Sequence, residues 1–137
     1  MTILLDTNII IDIALMRSPF FQDSSKFFAR IDGNHIKGCI TASSLTDIYC
    51  IIKKNSDYKK AISFIESLIM TIDVLNVNRD TIMLALHSNF SDFEDAVQSS
   101  AAELNHVDLI LSRNVKYFTK SKIPTLTPTE FLEKYKQ

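Results

Sequence analysis

Glycine is scarce in this chain, with two residues in 137, and proline little commoner, with three. That excludes collagen-like and low-complexity classes and leaves few places for long loops. No GxGxxG, no GxxxxGK[ST] and no Gly-x-Ser-x-Gly is present. The dinucleotide, P-loop and nucleophile-elbow readings therefore lack their glycines. Cysteine is limited to Cys39 and Cys50. Two are too few for a disulfide framework, and both are expected to be buried thiols of a reducing cytosol. The three histidines, His35, His87 and His106, lie far apart, and no CxxC occurs, so regular zinc spacing is missing. The N-terminal apolar run is broken at Asp6 and Asp12 and has no basic flank, so no signal peptide or membrane span is expected and the chain is placed in the cytoplasm. A formal net charge of −1 offers no bulk attraction to a polyanion.

What is present is alternation. Ile3-Leu4-Leu5 is a short apolar run closed by Asp6, as in a strand covered on both faces. Thr7-Asn8 offers cap chemistry for a helix over 9–15. A helix is expected from Gln22 to Ile31, a strand from His35 to Thr41, and a helix carrying Leu45, Ile48, Tyr49 and Ile52. Ser56 or Asp57 caps the next helix, through Met70, and Thr71 to Leu75 reads as a third strand. Asn78 caps a further helix. Ser91 and Glu94 have capping-box spacing ahead of an alanine-rich helix. Strands follow at 108–112 and 124–126, and Thr127-Pro128 opens a last helix. Strand and helix alternate without repeat or linker. The expectation is one domain over residues 1–137: an α/β fold with a five-stranded parallel sheet and helices on both faces.

In such sheets polar groups gather at the carboxyl ends of the strands. Asp6 ends the first strand, Asp47 lies a turn into the helix after the second, and Asp92 and Asp95 open the helix before the fourth. Ser112, Arg113 and Asn114 follow the fourth strand. Each has a plainer role as cap, turn or solvated residue. Together they are a carboxylate crevice, and carboxylates that share a crevice repel one another unless a cation joins them. A hard divalent ion accepts oxygen ligands and activates water for phosphoryl displacement, the chemistry of nucleases and phosphatases. The acid-free stretch holding Arg113, Lys116, Lys120 and Lys122, with Tyr117 and Phe118 among them, suits a phosphate backbone and a stacked base; Phe118 reads better as core. Lys53, Lys54, Lys59 and Lys60 form a second basic cluster, which by default is a solvated face.

Four segments, in order, carry a family resemblance. Leu4-Leu5-Asp6-Thr7-Asn8-Ile9-Ile10-Ile11-Asp12 resembles the opening motif of PIN domains, and Asp92-Phe93-Glu94-Asp95-Ala96 resembles their second acidic motif. Residues 111–118 and 123–132 resemble the later segments of the small bacterial VapC-like toxin subgroup. The resemblance implies a PIN-like three-layer fold and a Mg²⁺- or Mn²⁺-dependent endoribonuclease, the toxin of a type II toxin–antitoxin pair. RNA, a cognate antitoxin protein and a second copy of the chain are the implied partners. Asp6, Asp47 and Asp95 match the metal-binding and catalytic acids, with Asp92 auxiliary and Asn8 supporting Asp6 by a local hydrogen bond. Ser112 and Asn114 are auxiliary, and Arg113 and Lys116 are the RNA contacts. Asp47 stands where the family usually has Glu, Asn114 where many relatives carry Asp, and Tyr117 where an Asp often precedes the phenylalanine. Those departures bear on metal affinity. Rival readings are a PIN-fold binding module without useful catalysis and a housekeeping RNA-processing nuclease. A response-regulator-like phosphoacceptor lacks the late-strand lysine it needs.

Overall fold

A computed structural model describes residues 1–136. Five parallel strands, β1 (Thr2–Leu5), β2 (Lys37–Thr41), β3 (Asp73–Leu75), β4 (Leu109–Leu111) and β5 (Thr125–Leu126), form one sheet in the order β3-β2-β1-β4-β5. Seven helices connect and flank them: α1 (Thr7–Ala14), α2 (Phe21–Phe28), α3 (Ala42–Asn55), α4 (Tyr58–Thr71), α5 (Arg79–Leu86), α6 (Phe93–Leu104) and α7 (Pro128–Lys134). A 3₁₀ turn, Val115–Phe118, follows β4. The expected alternation and parallel sheet are observed.

Strand residues alternate between the two faces, as a pleat requires. Ile3, Leu5, Ile40, Leu109 and Leu111 join a core with α1, α2, α3, α4 and α7, which includes the edge-on ring pair Phe27–Phe131. Leu4, Cys39 and Ile110 face the other way, onto Ala102 of α6, Val107 and Phe118. The small residues of α6 allow this layer to lie close to the sheet: from Ala96 to Ala102 every residue is buried. Gly38 serves the same end on the other face, because a Cβ there would stand 2.8 Å from Ile31 Cδ1 and 2.9 Å from Ile72 Cγ2.

Several local expectations are corrected. Thr7-Asn8 does not cap α1; Thr7 is its first residue, and Asp6 holds the cap position without making a side-chain cap bond. Ser91 does not cap α6. Asp92 does, its Oδ1 accepting from the Asp95 amide at 3.0 Å. Cys50 is exposed, whereas Cys39 is buried as expected. Burial pushes the Cys39 thiol up to about 12, so it stays protonated and inert. The Asn78, Asp57 and Thr127 caps are all formed.

The strand order decides where a site can be. β1 sits between β2, to which the chain crosses first, and β4, which it reaches later on the other side. The switch point therefore lies beyond the carboxyl ends of β1 and β4, where crevices form in open α/β sheets.

Candidate active site

Asp6 leaves β1 at this switch point and is 5 % exposed. Its carboxylate is not spent on the helix it precedes. Ser112 Oγ, from the end of β4, donates to Asp6 Oδ2 at 2.8 Å, and Gln98 Nε2, from α6, donates to Oδ1 at 3.0 Å. The expected help from Asn8 is supplied by these two instead. Gln98 is 1 % exposed, and its Oε1 has no partner, so the amide is oriented by this one bond. Nothing local in the sequence marks Gln98; its only signal is an amide in a stripe of small residues.

A crevice of about 470 Å³ opens above Asp6. α3 contributes Asp47, and the start of α6 contributes Asp92, Glu94 and Asp95. Asn8 and Asn114 line it as well. The structure thus gathers Asp6, Asp47, Asp92 and Asp95 in one place and adds Glu94, which the sequence pattern had assigned to a capping box. Once Asp92 takes the cap, Glu94 is released, and Thr7 Oγ1 donates to its Oε1 at 3.3 Å. Thr7 is held in turn through Ser44 and Thr41, a hydroxyl chain joining α1 to the start of α3.

Among the described residues, no lysine, arginine or histidine lines this crevice. The like charges show in the proton affinities. Asp95 is raised from 3.8 to about 7, first by desolvation and then by Asp6, Asp92 and Glu94. Glu94 is raised too, by desolvation and then by Asp47.

Arg113, expected to touch RNA, does not face the crevice. Its Nε lies 3.6 Å from Asp12 Oδ2, and its guanidinium stacks 4.3 Å from the centre of the Phe20 ring. Arg17 approaches the other Asp12 oxygen at 3.9 Å. Asp12 is wholly buried with no hydrogen bond to either oxygen, and desolvation raises its pKa despite the two cations. Arg113 therefore braces the loop that carries Ser112 and Asn114. The Asn114 amide donates to Ser112 Oγ at 3.1 Å within that loop. Lys116 is exposed, its ammonium 5.3 Å from the centre of the half-exposed Tyr117 ring at the crevice edge.

The donor set is hard carboxylate and amide oxygen, suited to Mg²⁺ or Mn²⁺. Among the described residues no three His, Cys, Asp or Glu side chains converge into a ready-made cage. Mg²⁺ needs none, because it takes one or two carboxylates and keeps waters. The unrelieved repulsion around Asp95 is the feature such an ion removes, so the residues present fit it.

Fold and site together define a small parallel-sheet α/β protein with a carboxylate crevice at its topological switch point. The family model for the PIN domain matches residues 2–116, and the chain belongs to that family. It is 28 % identical to Ribonuclease VapC1 of Aquifex aeolicus over 138 residues, 97 % of this chain and 94 % of the relative. Among solved structures it is similar to VapBC-1 from nontypeable Haemophilus influenzae, with TM-score 0.73, 17 % identity, and 94 % of this chain and 99 % of that one covered. It is also similar to Mycobacterium tuberculosis VapC20, a sarcin-ricin loop cleaving toxin, with TM-score 0.65, 11 % identity, and 79 % and 86 % covered.

Proposed function

We propose that this chain is a Mg²⁺- or Mn²⁺-dependent endoribonuclease and the toxin of a type II toxin–antitoxin pair. The observation that carries it is the meeting of Asp6, Asp47, Glu94 and Asp95 in one cation-free crevice on a PIN-domain chain. The name of the Aquifex relative, a ribonuclease covered over nearly its whole length, supports the reaction class. Similarity to the VapBC-1 structure supports a protein partner.

Asp6 and Asp95 would hold the ion, with Asp47 helping and Glu94 beside them. When bound, the ion supplies an activated water at neutral pH and neutralises charge on the phosphoryl oxygens. Ser112 and Gln98 aim Asp6, each taking one lone pair of a different oxygen and leaving the others free. Desolvation and the neighbouring carboxylates raise the proton affinity of Asp95 to about 7, so a cation there would compete with a proton and would be held more tightly as pH rises toward that value. Lys116 and Tyr117 offer a phosphate contact and a stacking ring at one edge. An antitoxin helix or arm laid over the crevice would inhibit by exclusion. The homodimer and cytoplasmic location belong to the same reading.

The test is incubation of the protein and its Asp6→Asn variant with a mixed structured RNA in Mg²⁺, Mn²⁺ or EDTA. Metal-dependent cleavage lost in the variant supports the reading. RNA binding without cleavage in any metal replaces it with a binding module.

A further inference from the structure

The crevice poses an electrostatic problem for a polyanionic substrate. It is lined by carboxylates without a cation, Arg113 is committed to Asp12, and Lys122 is paired with Glu103 at 3.4 Å. Lys116 serves one edge. The opposite wall is α3, whose Asp47, Cys50 and Ile51 line the crevice. At 3.6 residues per turn, the residue seven beyond Asp47 returns to within about 20° of the same line along the helix, roughly 10 Å further on. That residue is Lys54, between the directions of Cys50 and Ile51. It is exposed, and among the described residues it forms no ion pair and lies over no ring. Lys53 points elsewhere, with its ammonium 5.9 Å from the centre of the Tyr49 ring. A role for Lys54 in offsetting the α3 dipole needs only its place in the last turn. Its alignment with Asp47 is a separate fact, and it puts the positive charge on the line that leads out of the crevice.

We propose that Lys54 is a phosphate-binding subsite for the RNA strand, about two helical turns from Asp47 on the α3 flank. The strand then crosses the crevice from Lys116 and Tyr117 to Lys54, held by positive charge on both sides of the repelling centre. This rests on the nuclease reading and adds a substrate path to it.

The test measures cleavage of a single-stranded RNA of about 20 nucleotides in Mg²⁺, between about 50 and 200 mM salt. The proteins are wild type, Lys54→Ala, Lys54→Glu, Lys54→Arg and Lys37→Ala; Lys37 is exposed at the amino end of β2, whereas the crevice lies beyond the carboxyl ends of the strands. Lys54→Ala should raise KM about three- to tenfold at low salt with kcat within about twofold, and should reduce the logarithmic salt slope by about 0.7. Lys54→Glu should do more, Lys54→Arg should restore the wild-type values, and Lys37→Ala should match wild type. Wild-type cleavage with unchanged KM and salt slope in Lys54→Ala overturns the subsite and leaves the nuclease reading standing. A wild type that neither binds this RNA by fluorescence anisotropy nor cleaves it overturns both.

Discussion

Replacing Asp95 with asparagine should stabilise the metal-free protein while removing its activity. Asp95 is raised from 3.8 to about 7. Between those values the folded state keeps a proton that the unfolded state has lost, so stability falls as pH rises through this window and levels off above about 7. Roughly three pKa units at about 1.36 kcal/mol each give about 4 kcal/mol. Asp95 is partly open to solvent, and halving for screening leaves about 2 kcal/mol. Asparagine has the shape of the neutral acid and no charge for Asp6, Asp92 and Glu94 to oppose. For a chain of this size about 2 kcal/mol corresponds to a Tm roughly 6–10 °C higher. The assay is thermal melting of both proteins in EDTA from pH 4 to pH 8.5. The gap should be near zero at pH 4, open between 4 and 7, and stay constant above. Saturating Mg²⁺ should narrow it, because the ion stabilises the wild type by about 2.7 kcal/mol at a hundred times its Kd and the variant by less. An Asp95→Asn protein that melts at or below wild type at pH 8 in EDTA refutes the claim that like charge and desolvation hold the Asp95 proton.

Arg113→Ala should cost about 3–5 kcal/mol in urea denaturation, because it removes the closest cation from a wholly buried carboxylate. Adding Asp12→Leu should recover most of the loss; a single-variant cost under about 1 kcal/mol would mean that Arg17 suffices. Ser112→Ala and Gln98→Leu each remove one of the two bonds on Asp6, so each should lower kcat about tenfold with little change in KM, at about 1 kcal/mol of stability. Gly38→Ala drives a methyl group against Ile31 and Ile72 and should cost about 1–3 kcal/mol, partly relieved by Ile31→Val, which deletes the nearer atom.

Different parts of the molecule were legible in the sequence to different degrees. The capping box at Ser91 and Glu94 was a sound local pattern that lost to a neighbour: Asp92 reaches the Asp95 amide, and Glu94 is freed for Thr7 and the crevice. Asp12 reads as a break in an apolar run and as the last residue of the opening motif, and neither signal names its partners. Its burial and its two arginines come from packing of the α1–α2 loop against the loop after β4. Arg113 was placed in the right loop, but its direction was set by Asp12 and Phe20, neither of which is near it in sequence.

The sequence by itself determined the alternation of strands and helices, the parallel sheet, and the polar residues at the strand ends. These follow from side-chain periodicity and turn chemistry, which act over a few residues. Only the tertiary structure decided which of those polar residues share a crevice and which support them. Asp6 meets Gln98 across 92 positions and Ser112 across 106. Bonds of that span require α6 and the end of β4 to be packed beside the end of β1, and no local pattern records them.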